Sequence, residues 1–157
     1  MAEKKIAAII TEYRPRSHAD VIVGKFLRGF PTDEGLHPPR VEIVSMYLDQ
    51  INEDDTGVET AKTFGVPIYP SIRSALTLGG EDLAVDAVLI IGEHGDYPLN
   101  EKGQKLYPRR HFFEQVAGTL SSAEKSVPVF SDKHLSYNWH DAKWIYDRAE
   151  ELHIPFM

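Results

Sequence analysis

The segment Gly92-Glu93-His94-Gly95-Asp96 sets two carboxylates and an imidazole directly after an apolar run. Such groups can bind a divalent metal, or divide acid and base roles over a substrate hydroxyl. They also make an ordinary polar turn, with glycines supplying positive φ and Asp96 bonding to backbone. A second cluster, Ser131-Asp132-Lys133-His134, follows another apolar run. Its lysine can polarise a carbonyl or support proton removal from an alcohol if partial burial and neighbouring charge lower its pKa. The plain alternative is a solvated lysine beside an aspartate. In a third cluster, Thr11 to Asp20, Arg14 and Arg16 can grip a phosphate by paired hydrogen bonds, or form an exposed basic turn. Arg109, Arg110 and His111 stand where a helix should start. Positive charge opposes the helix dipole there, which points to an anion or carboxylate for them to hold.

The elements that must position these groups follow from the alternation of apolar runs with longer amphipathic segments. Strands are predicted over Lys5–Ile10, Arg40–Tyr47, Val66–Tyr69, Asp86–Gly92, Val127–Phe130 and Ile154–Met157. Helices are predicted over Ser17–Arg28 with Ser17 as N-cap, from Asp49–Gly57 through Lys62 with Asp55 or Thr56 as cap, and over Ser71–Leu78, Arg109–Ser122 and Trp139–Leu152. The stretch Gly29–Pro39, rich in proline and glycine, is predicted as a loop. Trp139, Trp144, Phe112 and Phe113 are expected to pack on the sheet.

The fold class is therefore α/β: a doubly wound, mostly parallel six-stranded Rossmann-like sheet with helices on both faces. Ligands of such sheets bind beyond the carboxyl ends of the strands, near the point where strand order reverses. That rule gathers His18, Asp49, Glu93, His94, Asp96, Lys133 and His134 on one rim.

Composition narrows the classes. A chain of 157 residues suits one domain over residues 1–157. A net charge of -7 disfavours nonspecific nucleic-acid or anionic-membrane binding. The absence of cysteine excludes disulfides, thiolate metal sites and thiol nucleophiles. No apolar signal segment precedes the first strand, so a cytoplasmic protein is expected. The apolar end Ile154-Pro155-Phe156-Met157 needs a place in a core, which suggests a truncated chain or a natural stump.

Three further stretches carry a family resemblance. Gly65-Val66-Pro67-Ile68-Tyr69-Pro70-Ser71, Val85-Asp86-Ala87-Val88-Leu89-Ile90-Ile91 and Ser131-Asp132-Lys133-His134 resemble, in order, the short third strand, the "vDaVli" strand and the "EKP" segment of one family. This is the nucleotide-binding domain of the glucose-fructose oxidoreductase, inositol dehydrogenase and MocA-like (Gfo/Idh/MocA-like) oxidoreductases. The resemblance covers nearly the whole chain. It implies NAD or NADP as cofactor, with Lys133 matching the lysine that positions substrate and nicotinamide, aided by His94 or His134. It implies Asp49 as the acidic residue that reaches the adenosine ribose, and Thr11, Tyr13, Arg14, Arg16, Gly92 and Glu93 as the loops around the cofactor.

The departures are Asp132 for glutamate, His134 for proline, and above all Thr11, Tyr13 and Arg16 where glycines belong. Three side chains then meet space that a pyrophosphate needs. Family members carry a second, C-terminal domain, so this chain is expected to be the N-terminal part of a two-domain architecture. A homo-oligomer and a small-molecule substrate are expected.

Two main readings follow: an NAD(P)-dependent oxidoreductase domain acting on a sugar, polyol or related hydroxy compound, or a degenerate Rossmann-like module. The second would bind a small ligand or metal through Arg14, Arg16, Glu93, His94 and Asp96, without hydride transfer. A weaker third is a noncatalytic assembly domain.

Overall fold

The computed structural model describes residues 4–157. Its centre is β1 (Lys4–Glu12), whose apolar residues are sealed on both faces, as a parallel strand covered by helices requires. β4 (Val41–Gln50) pairs with one side of β1 and β5 (Ala87–Ile91) with the other. β6 (Val129–Ser131) lies outside β5, and all four strands run parallel in the order β4-β1-β5-β6.

Because side chains alternate along a strand, β1 serves two cores. Ile6, Ala8 and Ile10 pack with Ala19 and Val23 of α1 (His18–Arg28) and Ala61 of α2 (Gly57–Phe64). Ala7 and Ile9 join the other core, formed with α3 (Ile72–Thr77), α4 (Arg109–Ser122) and α5 (Trp139–Glu151). The chain passes from β1 to β4 on one side, then to β5 on the other. The topological switch point is thus the carboxyl edge between β1 and β5.

The main sheet has four strands rather than the predicted six. The other two segments are present only as single parallel bridges, Met46 with Ile68 and Val129 with Phe156. Prolines account for the truncation. Met46 N donates to the Pro67 carbonyl and Tyr69 N to the Met46 carbonyl, at 3.0 and 2.8 Å. Val129 N donates to Pro155 and Met157 N to Val129, at 2.9 and 3.0 Å. In each ladder the next donor would be the proline nitrogen, which carries no hydrogen.

A second difference lies in the predicted loop Gly29–Pro39, which contains a two-stranded hairpin of β2 (Phe30–Thr32) and β3 (Gly35–His37). Phe30 stacks on His37 with ring centroids 5.5 Å apart.

Ser17 caps α1 as predicted, accepting from Asp20 N at 3.2 Å. At the start of α2 the side-chain cap comes from Asp55, which accepts from Val58 N at 3.0 Å, while burial pushes its carboxyl pKa up. Phe112 and Phe113 are buried and Trp144 packs against their core, but Trp139 stands 73% exposed at the start of α5 instead of lying on the sheet.

Candidate functional site

A cleft of about 600 Å³ opens at the switch point, lined by Glu12, Arg14, Asn52, His94, Lys105 and Tyr107 among others. Glu12 ends β1, and its carboxylate is the floor to which the neighbouring loops are tied. It accepts from Arg14 Nε at 3.1 Å and from Asn52 Nδ2 at 2.6 Å. Arg14 reaches on through Nη2 to His94 Nδ1, 3.1 Å away. A guanidinium can only donate, so Nδ1 is the unprotonated nitrogen of His94 and its hydrogen sits on Nε2. That Nε2 is buried and has no protein partner among the described residues. Burial first, and the Arg14 charge next, push the His94 pKa down and keep the ring neutral.

The three side chains standing where a dinucleotide loop has glycines do not fill this cleft. Thr11 turns inward, its hydroxyl donating to the Glu93 carbonyl at 2.6 Å. Tyr13 is fully buried against α2; a Cβ at Gly57 would lie 2.7 Å from Tyr13 Cβ, so only glycine admits this packing. Burial pushes the Tyr13 phenol up to about 12. Arg16 is exposed and adopts φ 62°, the left-handed conformation for which glycine is usually used, with its N donating to Asp20 at 2.9 Å. The loop therefore leaves the cleft open, with Arg14 in its lining and Arg16 outside it.

Arg109 binds the remaining loops together. It is the first residue of α4, is 2% exposed, and pairs through Nη2 with the Glu93 carboxylate. Through Nη1 it donates to the Asp132 carbonyl at 2.5 Å. Gly92 is required by this arrangement, since a Cβ there would lie 2.9 Å from Arg109 Cγ. The cationic helix start noted in the sequence thus serves an internal carboxylate. Its neighbour Arg110 pairs with Asp141 at 2.9 Å and lies over the Trp144 ring at 4.0 Å.

Asp132 is mostly buried, donates its own N to the Ile90 carbonyl at 2.9 Å, and places Oδ2 2.5 Å from His18 Nδ1. The rings of His18 and His94 meet edge to face at 5.3 Å. Glu93, Asp132, His18, His94, Arg14 and Glu12 therefore form one continuous polar rim.

Other predicted residues are placed differently. Lys133 follows Asp132 on the same edge as Glu93, at φ 65°, but its side chain is exposed and, like that of exposed His134, makes no hydrogen bond among the described residues. Asp49 accepts from the hydroxyls of Tyr47 at 2.7 Å and Tyr97 at 2.6 Å. Burial and this carboxylate raise both phenols, Tyr47 to about 12. Asp96 is held by its backbone, its N donating to Gln50 Oε1 at 2.7 Å and its O accepting from Gln50 Nε2 at 3.0 Å. Among the described residues, no group of three His, Asp or Glu side chains is arranged to hold a metal ion.

The sequence reading assigned no role to Glu12 or the two tyrosines, and it placed His18 on the rim without a task of its own. Arg109 was expected to hold an anion or a carboxylate from its charge at the wrong end of a helix, and the carboxylate it holds is Glu93.

No family model matches the chain, and no curated protein does. Solved structures do. Biliverdin reductase in complex with biliverdin and NADP+ from Synechocystis sp. PCC 6803 is 20% identical, covering 97% of this chain and 36% of its own, with a TM-score of 0.53. A probable dehydrogenase from Thermotoga maritima is 18% identical over 98% of this chain and 35% of its own, TM-score 0.58. UDP-N-acetylglucosamine 3-dehydrogenase from Acidithiobacillus ferrooxidans is 14% identical over 98% and 37%, TM-score 0.56. The chain spans about a third of the length of each of these proteins. At these identities the likeness is one of fold: the chain has the Rossmann-like α/β fold found in dehydrogenases and oxidoreductases, in agreement with the resemblance seen in its sequence.

Proposed function

We propose that this chain is the nucleotide-binding domain of an NAD(P)-dependent oxidoreductase acting on a sugar, polyol or related hydroxy compound. The observation that carries the reading is the open cleft at the switch point between β1 and β5, kept clear because Thr11 and Tyr13 turn inward. Among the structures sharing this fold, one is a complex with NADP+ and another is a dehydrogenase of a nucleotide sugar.

In this reading Arg14 and Arg16 supply the charge for a pyrophosphate, beside the backbone of the loops after β1 and at Gly92-Glu93. Asp49 accepts from a ribose hydroxyl, exchanging its tyrosine partners for it. A bound nicotinamide supplies the site that accepts or returns a hydride. The chain's own task is then proton handling at the substrate oxygen. Lys133 supplies charge at the rim, aided by His94 of the loop after β5 or by the adjacent His134, and Arg109 keeps the loops after β5 and β6 in register. The same reading includes a second domain, a homo-oligomer, a cytoplasmic location, and a small molecule rather than nucleic acid as partner. Among the described residues no helix is long and apolar enough to cross a membrane.

The buried Glu12 carboxylate favours a second reading, a small-ligand module without hydride transfer, because a negative charge in the cleft opposes a pyrophosphate. Fluorescence titration with NADH and NADPH separates the two. Saturable binding that weakens at least tenfold in Asp49→Ala supports the oxidoreductase reading; no binding at millimolar nucleotide overturns it.

A further inference from the structure

The rim carries an imidazole and a carboxylate to which neither the sequence nor the fold assigns a task. Of the imidazoles at this edge, His94 has no lone pair to offer, since Nδ1 accepts from Arg14 and the proton sits on the buried Nε2. His134 is exposed and has no carboxylate beside it among the described residues. His18 differs from both. Its Nδ1 stands 2.5 Å from Asp132 Oδ2, and its Nε2 is neither hydrogen-bonded nor buried among the described residues.

Asp132 is held firmly for the purpose. Its N is bonded to the Ile90 carbonyl and its O to the buried Arg109, so its carboxylate is fixed by both flanking peptide groups. A carboxylate on Nδ1–H fixes the tautomer, which leaves the lone pair on Nε2. His18 in turn is the first residue of α1, placed by the Ser17 cap, and its ring meets that of His94, which lines the cleft.

We propose that His18, aligned by Asp132, is the proton-transfer residue of this site. The proposal rests on the hydride-transfer reading above. In the oxidising direction the substrate C–H bond breaks and its electron pair leaves as hydride to the nicotinamide. The O–H bond breaks, its proton goes to His18 Nε2, and the carbon–oxygen double bond forms. Reduction reverses each transfer.

The first test needs no substrate. Diethyl pyrocarbonate acylates the unprotonated imidazole nitrogen, and mass spectrometry reads each histidine separately. In the wild-type chain His18 should label readily, and in Asp132→Asn its rate should fall several-fold while that of His134 stays constant. A His18 that serves only to fasten α1 to the loop after β6 behaves oppositely: without its carboxylate the ring is freer and labels faster. An unchanged or faster rate overturns the proposal.

The second test uses turnover of a panel of sugars, polyols and hydroxy acids with NAD+ and NADP+. His18→Ala should lower kcat by about 100-fold with KM and nucleotide affinity nearly unchanged, and added imidazole should restore part of it. His18→Gln, which keeps the ring's approximate bulk, should show the same loss, guarding against a folding defect. Unchanged kcat overturns the assignment. Failure of the wild-type chain to bind nucleotide would instead overturn the oxidoreductase reading, and the labelling result would still decide whether His18 Nε2 is the activated nitrogen.

Discussion

Arg109 at the start of α4 and Glu93 in the loop after β5 form a buried ion pair, with their side chains 1% and 11% exposed. A guanidinium sealed this way is costly to desolvate, and the pair's value lies in what each partner would suffer alone. Arg109→Met should destabilise the fold by about 3–5 kcal/mol, because it leaves a buried carboxylate unpaired and the Asp132 carbonyl without its donor. Adding Glu93→Leu to that variant should recover most of the loss. Urea denaturation of the single and double variants checks both statements, and a double variant no better than Arg109→Met would show that the Asp132 contact dominates.

Two glycines should respond in opposite directions to alanine. Gly57→Ala drives a methyl to 2.7 Å from Tyr13 Cβ, where both backbones are fixed, so a loss of about 1–3 kcal/mol is expected. Gly118 lies within α4 with open space for 4 Å around the point where a Cβ would stand, and Gly118→Ala should gain about 0.5–1 kcal/mol from helix propensity alone. Thermal melts of the two variants should therefore move to either side of the parent.

Acid should weaken the fold through His94. Its folded-state pKa is depressed below the ordinary 6.5 by burial and by Arg14, so the unfolded chain binds the proton more readily. The stability it contributes is fully present above pH 6.5 and is lost as pH falls toward the folded value. Melting temperatures at about pH 8 and about pH 5.5 should differ more for the wild-type chain than for His94→Gln, which has no proton to gain. Equal differences in the two chains would show that burial and Arg14 do not hold the ring neutral.

Much of this architecture can be read from the sequence because β1 and β5 are buried on both faces and must be continuously apolar. The rim is legible for the same reason: polar residues that directly follow such strands have only one edge to occupy. What is not legible is pairing. His18 and Asp132 stand 114 positions apart, and nothing in either segment names the other. The inward turn of Thr11 and Tyr13 depends on Gly57 and on the carbonyl of Glu93, both remote in sequence. The β2–β3 hairpin escaped because its strands are three residues long and exposed, which leaves no apolar alternation to detect. The outer strands were overcounted because their apolar character is real, while Pro67 and Pro155 limit what that character can build.

Those two prolines bear on how the molecule behaves at high concentration. Each flank of the sheet ends in a segment joined to it by a single bridge, too short to offer a foreign chain a long row of free peptide groups. The outermost segments are therefore poor starting points for edge-to-edge stacking.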